Sequence, residues 1–152
     1  MILLPKTIKA LKIMDPCFLP YRWQGVSGGM SHCGYDIAID QDIIVPGHGF
    51  VLASSQEWFN MPLDVVGTQH DKSTWARKGI AVQATILEPG WRGYLTIEIS
   101  NNDKYDISIM KGTPIAQILF HRIEGPASPY TGKYQDQKKG PQEAIFEQTA
   151  DV

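Results

Sequence analysis

The stretch WRGYLTIEISN, residues 91–101, decides the fold class. Leu95, Ile97 and Ile99 recur with period two, so Tyr94, Thr96, Glu98 and Ser100 share the opposite face of a β-strand. Glu98 breaks the pattern in composition, because Glu is depleted in strands and burying a carboxylate without partners is costly. It is therefore either simply solvated or held for a purpose.

Working outward, the same strand grammar repeats in YDIAID, GFVLAS, IAVQATIL, YDISIM and PIAQILF, each bounded by a turn signal. The punctuation is GVSGG at 25–29, VPGHG at 45–49, EPGWRG at 88–93 and KGTP at 111–114. Many short strands with close turns predict an all-β sandwich or barrel. The opening MILLPKTIKALKIM is interrupted by lysines and Pro5, which predicts a short helix packed on the body and not a spanning or signal segment. From Ser128 onward the chain is polar and without a sustained period, so 1–127 is read as the folded domain and 128–152 as a tail. Composition alone makes that tail a plain flexible terminus; its YTGKYQ run could instead order over a ligand.

The 152 residues suffice for one domain with a real core, 43% being apolar and 20% charged. A net charge of -2 without a long basic block argues against a grip on nucleic acid. Cys17 and Cys33 show no zinc-ligand spacing and no disulfide framework, and are read as reduced thiols of a cytoplasmic protein. His32, His48, His70 and His121 share no ligand spacing, so no metal set is read from them. Asp36 is read as a structural hydrogen-bonding residue, and Trp75 and Trp91 as packing residues.

QHDKSTWARKGI, residues 69–80, departs from the β pattern. Asp71 or Ser73 can cap a single helical turn that stops at Gly79, leaving outward N–H groups near Ser73 and Thr74 beside Lys72 and Arg77. Two readings stand: an anion site, or an ordinary capped turn with surface charges.

KSTWAR, LEPGWRGYLTIEISN, PIAQILF and GKYQDQ, with GYDIAI at 34–39, together resemble the dCTP deaminase branch of the trimeric dUTPase-like superfamily. The blocks run in family order from about Gly25 to Gln137. The resemblance implies a distorted β-barrel or jelly-roll with one or two short helices, a homotrimer with sites between subunits, and zinc-free deamination of dCTP to dUTP. It assigns Glu98 as general base and acid, with Ser73 and Arg77 positioning the water and stabilising charge, and Arg77 pairing with Glu98. It assigns Lys72, Ser73 and Thr74 to the triphosphate, Glu88 to the deoxyribose hydroxyl, and Thr96 and Ile97 to the base edge. Gln117, Tyr130, Lys133 and Gln137 complete the nucleotide contacts, the last three as a closing lid. Mg²⁺ would accompany the triphosphate, and dTTP would act as a feedback inhibitor.

Outside the resemblance, Glu88 reads equally as an exposed turn residue and Gln117 as a satisfied core amide. The chain is shorter than typical cellular members, chiefly between GYDIAI and VPGHGF, which fits a trimmed, phage-type enzyme working in a bacterial or host cytoplasm. Ile86 stands where some relatives carry a phosphate-binding arginine, implying a different grip on the triphosphate. Alternative activities are a bifunctional deaminase that also releases pyrophosphate and dUMP, a dUTPase, and a nucleotide-sensing protein without turnover. The tail's Lys-Tyr-Gln, in place of a Gly-rich motif, argues against a pure dUTPase.

Overall fold

A computed structural model describes residues 1–148 of the chain. Helix α1 (Pro5–Ala10) takes Pro at its start, where the missing N–H costs nothing, and sinks Ile8 into the core. Twelve strands follow: β1 (Met14–Asp15), β2 (Tyr21–Trp23), β3 (Val26–Met30), β4 (Tyr35–Ala38), β5 (Ile43–Val45), β6 (Phe50–Asn60), β7 (Val65–Asp71), β8 (Ile80–Val82), β9 (Ile86–Leu87), β10 (Arg92–Asn101), β11 (Ile107–Ile109) and β12 (Pro114–Arg122). A second helix, α2 (Ser73–Ala76), lies between β7 and β8. No helix among the described residues is long and apolar enough to cross a membrane.

The strands form a four-stranded sheet in the order β1-β6-β10-β8, a two-stranded sheet β11-β5, and a six-stranded sheet β2-β3-β4-β12-β7-β9. All the pairs are antiparallel, and the sheets curl around one core as a distorted barrel. Tyr35, Ile37, Phe59, Ile97, Ile99, Ile115 and Phe120 are fully enclosed there. Such residues each remove roughly 1.5–3 kcal/mol worth of apolar surface from water.

Two expectations change at this level. GVSGG reads as a turn, yet only Gly25 turns, at φ +80°, while Val26–Met30 pairs with β2 and β4. The strand needs its glycines for space and for backbone conformation: a Cβ at Gly28 would sit 2.4 Å from the Tyr21 ring, and Gly29 lies at φ +75°. IAVQATIL, which reads as one strand, is broken into β8 and β9 by a kink at residues 83–85.

Glu57 is a carboxylate fully buried in the barrel wall on β6. It accepts hydrogen bonds from the Tyr35 hydroxyl at 3.2 Å and from the Ala38 N–H at 3.3 Å. Burial outweighs these bonds and pushes its pKa from 4.5 up to about 7.

Candidate active site

Strand β10 holds Glu98 opposite Leu52 of β6, and its backbone carbonyl accepts the Gln83 N–H at 3.0 Å. A β-bulge between Tyr94 and Thr96 shifts the register against β6. Leu95 is buried in the core with Ile97 and Ile99, as the alternation predicts, and it also borders a cavity whose wall includes Thr96 and Glu98. The cavity holds about 380 Å³ and is lined largely by apolar side chains, among them Phe50, Leu52, Trp91 and Leu95. Glu98 Oε2 is buried with no hydrogen-bond partner. Burial raises the Glu98 pKa above the ordinary carboxylate value, partly countered by its own backbone N–H.

Five of the expected residues line this one cavity: Glu88, Thr96, Glu98, Tyr130 and Gln137. Tyr130 and Gln137 reach it because the segment after Ser128 docks on its own barrel, against the composition-based expectation of a free terminus. Gln137 forms a parallel bridge to Gly93, and its carbonyl accepts the Tyr94 N–H at 3.0 Å. The approach requires glycine: at φ +143°, a Cβ on residue 93 would lie 2.6 Å from the Gln137 nitrogen. Trp91 Nε1 donates to the Tyr134 carbonyl at 2.7 Å, the Gly140 N–H donates to Ser54 Oγ at 3.1 Å, and the Gln142 N–H donates to Thr96 Oγ1 at 2.9 Å. Lys133 lies apart from the cavity lining, donating to the Ile145 carbonyl with its ammonium 5.3 Å from the Tyr134 ring centroid.

The remaining expected residues stand elsewhere. Lys72 is buried; its ammonium donates to Asp36 Oδ2 at 2.7 Å and to Ser27 Oγ at 3.0 Å. Gln117 Nε2 donates to Ser31 Oγ at 3.1 Å. Asp36, Ser27 and Ser31 line a second recess of about 690 Å³, and Lys72 and Gln117 hydrogen-bond to these residues without lining it themselves. Burial raises the Asp36 pKa, opposed by the Lys72 and Gln117 hydrogen bonds. Ser73, Thr74 and Arg77 are exposed at α2, and Ile97 is buried in the core opposite Ala53 of β6.

One detail of the sequence reading is corrected. Neither Asp71 nor Ser73 caps α2; the cap position is Lys72, without a side-chain bond, because the Asp71 carboxylate accepts the Val82 N–H at 2.8 Å. Arg77 makes no ion pair with Glu98 within one chain, since Arg77 is exposed beside α2 whereas Glu98 faces the cavity. Trp75 does pack, its indole donating to the Pro114 carbonyl at 2.8 Å. Sequence reasoning did not single out Thr85, whose buried Oγ1 also lacks a partner and which lines the Glu98 cavity. Its signal was the polar QAT inside an otherwise apolar run.

Among solved structures, a dCTP deaminase from Agrobacterium tumefaciens superimposes with a TM-score of 0.65 at 10% identity, covering 84% of this chain and 50% of that one. The native EIAV dUTPase gives 0.55 at 20% identity, over 67% and 85% of the two chains. A mutant dUTPase of Staphylococcus aureus phage phi11, described with a structural Mg(II) ion, gives 0.57 at 17% identity, over 79% and 93%. These likenesses concern the fold.

In sequence, the chain is 44% identical over 99 residues to a dCTP deaminase of Campylobacter fetus, covering 62% of this chain and 53% of that protein. It spans about half the length of several relatives matched in this way. To the dCTP deaminase of Campylobacter lari it is 35% identical over 145 residues, covering 74% of this chain and 78% of that one. A family profile described as dCTP deaminase-like matches residues 33–123, a span that contains Asp36, Lys72, Glu98 and Gln117. On that match and those identities, the chain belongs to the dCTP deaminase-like family.

Proposed function

We propose that this chain converts dCTP to dUTP and ammonia with Glu98 as general base and acid. The observation that carries the reading is the Glu98 carboxylate, with Oε2 buried, unpartnered and lining an apolar-walled cavity. An orphaned acceptor in such a wall costs about 1–3 kcal/mol, a cost that a bound water or base would relieve. A raised carboxyl pKa suits a group that must both take and return a proton near neutral pH. Glu98 takes a proton from water as the oxygen adds to C4 and passes it to N3; it then takes the second proton from the C4 hydroxyl and delivers it to the departing nitrogen.

The partition of the expected residues supports a site completed by neighbouring subunits of a homotrimer. Glu88, Thr96, Glu98, Tyr130 and Gln137 offer the base and sugar side, while Ser73, Thr74 and Arg77 are exposed on α2 and available to another copy. In that arrangement a partner's α2 brings the serine and arginine to the pyrimidine. Lys72 is engaged by Asp36 in the single chain, so its contact with phosphate requires that pair to be shared or exchanged. Lys133 lies on the docked tail, where it can meet the phosphates, and dTTP would compete for the same pocket. Among the described residues no three His, Cys, Asp or Glu side chains cluster as a metal set. Mg²⁺ would be carried by the phosphates, since it keeps several waters and takes only one or two carboxylates besides.

A product assay on dCTP with Mg²⁺, following ammonia, pyrophosphate and nucleotide together, tests the reading. Glu98→Gln is expected to abolish ammonia release while retaining dCTP binding; undiminished turnover would refute it. Glu88 in the same cavity favours one second reading, a bifunctional enzyme. In that case dUMP and pyrophosphate accompany ammonia, and Glu88→Gln separates the two releases.

A further inference from the structure

Four side-chain hydroxyls line the cavity, and their surroundings differ: the Tyr130 hydroxyl accepts the Tyr134 N–H at 3.2 Å and the Tyr134 hydroxyl the Ile145 N–H at 3.0 Å, which leaves two threonines to compare. Thr96 Oγ1 accepts the Gln142 N–H at 2.9 Å and lies 3.5 Å from Gln137 Oε1, so it is engaged by the docked tail. Thr85 Oγ1 is buried with no partner. It shares that condition and that cavity with Glu98 Oε2. The third buried side-chain atom without a partner among the described residues, Gln69 Oε1, does not belong to the cavity lining.

Thr85 is also rigidly tied to Glu98. The Gln83 N–H donates to the Glu98 carbonyl at 3.0 Å, the Thr85 N–H to the Gln83 carbonyl at 2.9 Å, and the Gln69 N–H to the Thr85 carbonyl at 3.2 Å. Gln69 Nε2 adds a bond of 2.6 Å to the Gln83 carbonyl. The kink that splits β8 from β9 is thus pinned to the backbone of the candidate base. A carboxylate only accepts hydrogen bonds, whereas a hydroxyl both donates and accepts. In a cavity lined largely, though not wholly, by apolar side chains, this pair suits a small species that carries two hydrogens and a lone pair.

We propose that Thr85 is a further catalytic residue, its Oγ1 forming with Glu98 Oε2 the two-point seat for the attacking water and then for the departing ammonia. The inference rests on the deaminase reading above. Water gives one hydrogen bond to Thr85 Oγ1 and its other proton to Glu98 as its oxygen lone pair forms the bond to C4. The C4–N3 π pair moves to N3, which Glu98 protonates. As the C4 oxygen gives up its proton to Glu98 and becomes the carbonyl, the C4–N bond breaks. Its electron pair leaves on nitrogen, which takes a proton from Glu98, and the ammonia formed is held by Thr85. The threonine hydroxyl itself exchanges no proton; it fixes the nucleophile along the line of attack.

The test compares Thr85→Val, which keeps the branched shape and removes the hydroxyl, with Thr85→Ser, which keeps the hydroxyl. Ammonia release from dCTP gives kcat and KM, calorimetry gives the dCTP affinity, and urea midpoints control for folding. The expected result is a kcat lowered about 10- to 100-fold in the valine variant with affinity changed less than about threefold, and kcat restored to within about threefold by serine. Equal impairment of both variants would assign Thr85 to packing alone and overturn the proposal, as would wild-type kcat in the valine variant or a loss confined to affinity. Absence of ammonia from the wild-type protein is a distinct outcome that overturns the deaminase reading, and this inference with it.

Discussion

Replacing Glu57 by glutamine is expected to change how stability depends on pH, and the structure sets the size of the change. The folded-state pKa is about 7 against an ordinary value of 4.5, so between these values the native state binds more protons than the unfolded chain. Stability must then fall as pH rises from 4.5 to about 7, and at about 1.4 kcal/mol per unit the gap corresponds to roughly 3 kcal/mol. Glutamine stays neutral and removes that slope. It also sacrifices one hydrogen bond, because the carboxylate accepts from both Tyr35 and Ala38 and a single amide oxygen cannot replace both acceptors. That loss is about 1 kcal/mol at every pH. The variant should therefore be less stable than wild type at pH 4.5 and more stable, by roughly 2 kcal/mol, at pH 8. Urea unfolding followed by tryptophan fluorescence, at fixed protein concentration across that range, reads the difference directly. A wild-type-minus-variant difference independent of pH would refute the reasoning.

Breaking the Lys72–Asp36 pair from one side, as Lys72→Met or Asp36→Asn, leaves a charge stranded at a site with 8% and 7% side-chain exposure. Each single change is expected to cost about 3–5 kcal/mol in urea unfolding, and Lys72→Met with Asp36→Leu should recover most of it. Gly93→Ala forces a Cβ against Gln137 at a positive φ, so it should lift the tail. Limited trypsin digestion would report this as faster cleavage at Lys138 and Lys139 with the barrel intact, and an unchanged rate would count against the dependence on Gly93.

How much of this was legible in the sequence follows from which forces act locally. The apolar alternation in 91–101 announces β10, because a strand with one face on the core must repeat with period two. It could not announce the bulge before Thr96, since a bulge is set by the partner strand β6 and leaves no mark in β10 alone. Strand β7 was missed because VVGTQHD, carrying a glycine and polar residues, reads weakly, yet it pairs along its length with β12. Glu98 was legible because a carboxylate interrupts an isoleucine run. The partnership of Lys72 with Asp36, 36 residues earlier, was not, because long-range ion pairing depends on the closing of the six-stranded sheet. Likewise the tail reads as polar and aperiodic, while its docking uses main-chain groups that composition does not reveal.

The six-stranded sheet has a consequence for the order of events during synthesis. Its halves, β2-β3-β4 and β7-β9, do not touch through hydrogen bonds of their own; β12 is inserted between β4 and β7 and pairs with both. At about 5–20 residues per second, a growing chain must carry two unfinished strand edges until residue 122 emerges. Pairing between strands so distant in sequence is entropically late and slow. A nascent chain stalled before Pro114 would thus expose β4 and β7 as open templates for other strands, which makes this stretch of translation the interval in which a chaperone has most to protect.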